Sequence, residues 1–111
     1  MINIYEFNYD FYKASCTIEI DREIFTEELA KETLTFFSWN YDKNADPIDE
    51  VAKKYAMLVI EKATEGFGID ELRKHQFEGF VELDGTNGIK LLEVEGVEFD
   101  EEDLSMEKKE K

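Results

Sequence analysis

The chain has 111 residues, 42% hydrophobic and 14% aromatic, with 28 acids against 13 lysines and arginines for a net charge of −15. That length suits one domain with its own core, and the apolar content is too high for a disordered acidic chain. The charge argues against nucleic acid or an anionic membrane as direct partner, since both need positive charge to displace counterions. Cys16 is the single cysteine, which rules out an internal disulfide and suits a reducing compartment. No run approaches the roughly 18 apolar residues of a membrane span, and no signal-peptide pattern opens the chain. A cytoplasmic location is the expectation.

In chain order, Tyr5, Phe7, Tyr9 and Phe11 alternate with Glu6, Asn8 and Asp10, the period of a half-buried strand. A turn near Tyr12-Lys13-Ala14 leads to a second alternating run, with Cys16, Ile18 and Ile20 on one side. The pair reads as an antiparallel hairpin. Thr26 is the expected N-cap of a first helix, with Phe25 before it as a staple residue and Glu27 and Glu28 in the first turn, where the dipole favours anions. Leu29, Thr33, Phe36 and Phe37 are the expected inner face, with Ala30 and Leu34 alongside. Trp39 and Tyr41 close this helix as core residues.

The second helix is the better defined. Asp46 suits the cap and Pro47 the first helical position. Ile48, Val51, Ala52, Tyr55, Val59 and Ala63 then recur at three- and four-residue steps, while Asp49, Glu50, Lys53, Lys54, Glu61 and Lys62 fall on the other side. Gly66 and Gly68 end it, and Ile69 to His75 form a further short helical turn held by Leu72. Strand character returns from Phe77, with Phe80-Val81-Glu82-Leu83, the turn Asp84-Gly85-Thr86-Asn87-Gly88, and Ile89 to Glu95. The order β-β-α-α-β-β predicts an α+β fold: one antiparallel four-stranded sheet with two helices packed on one face. Residues 1–99 form the single domain, and 100–111 a charged, disordered tail.

Residues whose types and spacing point toward chemistry have plainer explanations. Asp42, Asn44 and Asp46 have the spacing that opens a calcium loop, but Pro47 stands where glycine is needed and Lys53 where a bidentate glutamate should be. An acidic cap and turn is the better reading. His75 is the sole histidine, and no cysteine or histidine spacing supports zinc. Cys16, in mid-strand, lacks the electropositive neighbours that make a thiolate. No metal, no cofactor and no enzyme activity are expected.

The acidity is patterned. Residues 19–50 net −7 and residues 78–103 net −9, while 51–77 net +1. Glu28 and Glu32 lie one helical turn apart, about 6 Å. Glu93 and Glu95 share a strand face at about 6.6 Å. Over a compact domain roughly 35 Å across, the net charge would average one per roughly 2.3 Å, against one per roughly 1.7 Å for duplex DNA. The expected partner-binding acids are Glu27, Glu28, Glu32, Glu82, Glu93, Glu95 and Glu98.

The stretch Thr17-Ile18-Glu19-Ile20-Asp21 through Thr33-Leu34-Thr35-Phe36-Phe37-Ser38-Trp39-Asn40 to Asp46-Pro47-Ile48-Asp49-Glu50-Val51 resembles a family of small uncharacterised acidic proteins of bacteria and their phages or mobile elements. The resemblance covers roughly the first 65 residues. It implies no catalytic residues, only a context in which acidic proteins inhibit restriction or CRISPR systems. The expected function is a non-enzymatic binding protein, a DNA-mimic inhibitor (an anti-CRISPR or anti-restriction type) that covers a basic nucleic-acid-binding surface of a host defence protein. The alternatives are an acidic accessory or structural protein acting as a homodimer without mimicry, and acidity that serves only solubility.

Overall fold

The computed structural model describes residues 1–11, 13–74 and 81–110. The first alternating run is strand β1 (Ile2–Tyr9) and the second is β2 (Ala14–Asp21), paired antiparallel with Tyr5 opposite Ile18 and Phe7 opposite Cys16. The turn comes earlier than expected. Asp10 and Phe11 take φ values of 47° and 56°, and the Lys13 amide donates to the Tyr9 carbonyl at 3.0 Å. Phe11 therefore leaves the aromatic row and stands exposed.

Helix α1 (Glu27–Phe36) starts at Thr26, whose Oγ1 accepts the Leu29 amide at 3.3 Å. Helix α2 (Pro47–Thr64) starts at Asp46, whose Oδ1 accepts the Ile48 amide at 3.0 Å. Both caps are those read from the sequence. On α2, Ile48, Val51, Ala52, Tyr55 and Val59 are buried against β2 and against β3 (Ile89–Glu95). Trp39 and Tyr41 are half-buried against the core, and the Trp39 ring stacks on Phe37 at 4.3 Å.

Two expectations about the helices are corrected. The inner face of α1 is Ala30 and Leu34, both fully buried, whereas Leu29 and Phe36 are exposed. Helix α1 packs on α2, and its buried Ala30 and Leu34 belong to the same core as the sheet. Buried alanines on both helices, Ala30 on one and Ala52 and Ala56 on the other, suit a close approach of the two backbones, and Leu34 fills the remaining space. The second correction is Glu50, which is 4% exposed and not on the outer side of α2. Its Oε1 accepts the Asp42 amide at 2.8 Å, pinning the loop between the helices. Lys53 Nζ lies 2.8 Å from Oε2, an ion pair without the alignment of a hydrogen bond. The neighbouring ammonium, with the Asp42 amide, holds the Glu50 carboxyl below the usual carboxylate range.

The fold is α+β, but among the described residues the sheet has three antiparallel strands in the order β1-β2-β3, not four. The short helical turn expected from Ile69 is a third helix, α3 (Ile69–Lys74), beside the two that the fold expectation counted. The expected Phe80–Leu83 strand does not form among its described residues, because a side chain from another element takes an acceptor it would need. His75, Phe77 and Phe80 lie outside the described residues, Val81–Leu83 are in no strand, and the isolated bridge to Lys90 comes from Asp84, in the expected turn. The Leu91 amide does reach the Leu83 carbonyl at 3.0 Å, and the turn hydrogen bonds follow. The Leu91 carbonyl, however, accepts from Arg73 Nε at 2.8 Å. An adjoining strand would need that acceptor. The Val81 amide points instead to the Tyr55 hydroxyl at 3.4 Å. Helix α3, anchored by buried Leu72, thus packs at the β3 edge, and among the described residues no strand pairs with the outer edge of β1.

Beyond β3 the chain turns tightly over α2. A Cβ on Gly96 would come within 2.5 Å of the Thr64 nitrogen, and the Val97 amide donates to Thr64 Oγ1 at 3.0 Å. Glu101–Asp103 form one 3-10 turn capped by Asp100, and residues 104–110 are exposed without regular structure. Among the described residues no helix is long and apolar enough to cross a membrane.

Candidate functional site

The sheet has two unlike faces. One carries Cys16, Ile18, Ile20, Ile89 and Leu91 into the core beneath the helices. Strand alternation sends the intervening residues to the other face: Ile2, Ile4, Glu6 and Asn8 from β1, Ser15, Thr17, Glu19 and Asp21 from β2, and Lys90, Glu93 and Glu95 from β3. A bulge opposite Thr17 and Ile18 shifts the register by one residue, and this keeps Glu93 and Glu95 on that face. Thr17 stands between Glu6 and Glu93, and Ser15 between Asn8 and Glu95. Two strands at about 4.8 Å spacing separate Glu6 from Glu93 by about 10 Å. Five acids therefore share a face with one base, Lys90, which sits opposite Glu19. The acids on β1 and β3 are exposed.

The seven acids singled out from sequence do not form one surface. Glu93 and Glu95 are on the open sheet face. Glu27, Glu28 and Glu32 are exposed on α1, which packs on α2 and is no part of the sheet, and Glu27 is 3.6 Å from Lys31. Glu82 is half-buried beside the β3 turn, and Glu98 borders a depression with Lys13, Asp100 and Asp103 beyond the end of β3. The structure adds Glu6, Glu19 and Asp21 to the sheet-face group. Strand alternation in the sequence puts Glu6 and Glu19 outward, whereas Asp21 joins them because β2 runs one residue beyond Ile20.

Whole-molecule charge density is lower than the compact estimate. The longest extent is 61 Å, so fifteen net charges average one per about 4 Å, sparser than the roughly 1.7 Å of duplex DNA. Any likeness to a nucleic acid must come from one face.

Other reactive groups are committed to structure. Cys16 is 1% exposed, and burial pushes its thiol up to about 12, so it is a thiol at neutral pH. Asp42 Oδ1 accepts the Asn44 amide at 2.9 Å, while Asp46 caps α2 and takes Arg22 at 2.6 Å. The loop acids thus act within the chain, as a cap and turn do. The Tyr5 hydroxyl donates to Asp49 at 2.6 Å, and burial together with that carboxylate raises its pKa. With Arg22 also bonding Asn3 at 3.2 Å, this network ties β1 to the start of α2.

No protein-family model, curated protein or solved structure matches the chain. Its surface chemistry has to be read from its own geometry.

Proposed function

We propose that this chain is a non-enzymatic acidic binding protein whose open sheet face docks on a basic, nucleic-acid-binding surface of another protein. The observation that supports the reading is the row of Glu6, Glu19, Asp21, Glu93 and Glu95 on a face whose one base is Lys90. A rigid sheet fixes the spacing of these carboxylates, so they meet a cationic surface without first being ordered. Long-range attraction then speeds encounter and selects basic partners. The setting of a phage or mobile element acting on a host restriction or CRISPR protein comes from the sequence resemblance alone. The experiment is capture from bacterial lysate at low salt, followed by challenge with duplex DNA and with high salt. A basic nucleic-acid-binding protein released by both is the expected result. Retention through both treatments would mean a partner held by other forces.

A homo-oligomeric accessory protein is the second reading, favoured by an outer edge of β1 that pairs with no strand among the described residues and by Ile2 and Ile4, which are 56% and 59% exposed. Sedimentation of the parent and of Ile4→Glu separates it: a dimer broken by this change would favour self-association.

A further inference from the structure

The outward turn of Leu29 and Phe36 has a second consequence. Helix α1 carries two apolar stripes, one buried at Ala30 and Leu34 and one facing a depression of about 500 Å³. Leu29, Thr33 and Phe36 line one wall of that depression, with Ile24, Val81 and Asn87 among the residues opposite. Ile24, Leu29 and Phe36 are 48%, 42% and 72% exposed, which is more apolar surface than an isolated helix flank requires. The Thr33 hydroxyl donates back to the Leu29 carbonyl at 2.8 Å and so is already satisfied within the helix. Glu32 also lines the depression, and Glu28 lies one turn before it on the solvent side. Lys31, the one base of α1, is drawn to Glu27 on the opposite flank.

We propose that this groove docks an amphipathic basic helix of a partner protein. Leu29 and Phe36 are seven residues apart, about 10.5 Å along α1, a spacing met by apolar residues at i and i+7 of an incoming helix. Glu28 and Glu32 then meet lysines or arginines on its flank. The same acids repel nucleic acid and anionic lipid, and a second copy of this chain brings another −15 of charge. The inference rests on the reading of the chain as an acidic protein-binding domain, and names a second surface for it, built on α1 and not on the open sheet face.

A synthetic 18-residue leucine–lysine amphipathic helix is the probe, titrated at low salt and followed by amide chemical shifts. The expected shifts fall on Ile24, Leu29, Thr33, Phe36 and Val81. The doubly substituted Leu29→Ser, Phe36→Ser protein should bind about tenfold more weakly, since both side chains lose apolar contact. Glu28→Gln with Glu32→Gln should weaken binding less and flatten its salt dependence. Circular dichroism checks that the serine protein folds, and the glutamine protein provides an independent reading if it does not. Four glutamines on the sheet face (Glu6, Glu19, Glu93 and Glu95) should leave peptide affinity within about twofold. If those glutamines weaken the peptide and the groove changes do not, the groove is overturned while the acidic-face reading stands. Loss of capture by the sheet-face variant with peptide binding intact sets the two surfaces apart the other way. A parent dimer that Phe36→Ser dissociates would make a second copy the occupant, and overturn the proposal.

Discussion

Replacing Cys16 by valine should protect the protein against alkali. Cys16 lies in the central strand between Phe7 and Val94, 1% exposed, with its thiol pushed from 9.0 to about 12 by burial. A thiol whose folded pKa is raised stabilises the folded state relative to its ionising unfolded form below 9.0, and that contribution is lost as pH rises through the window to about 12. Each pH unit inside the window is about 1.4 kcal/mol, so the parent should lose about 2 kcal/mol by pH 10.5 through this group. Valine has similar volume, suits a strand and does not titrate. Urea unfolding of both proteins at pH 7 and at pH 10.5 measures the difference. Tyr5 and Tyr55, whose pKa values burial also raises, act equally in the two proteins and cancel in the comparison. The stability gap should shift by about 2 kcal/mol in favour of valine on going to the higher pH. Parallel losses in parent and variant would mean that Cys16 is not enclosed, and would refute the packing of the central strand.

Three further outcomes test the fold. Leu34→Ala should cost about 2–5 kcal/mol and Leu29→Ala less than about 1 kcal/mol, read as midpoints of thermal or urea unfolding; the reverse order would mean α1 is rotated. Gly96→Ala should destabilise by about 1–3 kcal/mol, because its methyl group meets the Thr64 backbone. Glu50→Gln should flatten acid destabilisation: a carboxyl held below its unfolded value stabilises above the unfolded pKa of about 4.3, and that contribution is lost as pH falls through the folded value. Identical acid profiles for parent and variant would show that Lys53 and the Asp42 amide do not act on it.

Cap chemistry and strong periodicity made much of the fold legible in advance. Thr26, Asp46 and Pro47 marked two helix starts because local side-chain to backbone bonds decide them. The stripe from Ile48 to Val59 and the turn glycines Gly85 and Gly88 were equally local signals. The errors arose where a distant partner decides. Arg73 takes the Leu91 carbonyl that a fourth strand would use, and nothing near Phe80 announces this. The rotation of α1 depends on how near α2 approaches, which favours Ala30 over the larger Leu29. Glu50 is indistinguishable in sequence from its outward neighbours until the loop amide of Asp42 folds onto it. For the surface, Glu93 and Glu95 were placed on one face, but membership of that face also needs strand register, which brings in Glu6 and Glu19.

Lys53 and Lys54, on the near-neutral stretch, hold Glu50 and the Asn40 carbonyl and are therefore structural. A matched loss of charge elsewhere is cleaner. The most direct measurement is calorimetric titration of the DNA-displaceable partner at two salt concentrations with three proteins: the parent, the sheet-face variant Glu6→Gln, Glu19→Gln, Glu93→Gln, Glu95→Gln, and a tail variant Glu101→Gln, Glu102→Gln, Glu107→Gln, Glu110→Gln. The two variants lose the same four charges. The acidic-face account requires the sheet-face variant to lose at least about tenfold in affinity and to show a shallower salt slope, with the tail variant near the parent. Equal affinities and equal slopes for the two variants would contradict it.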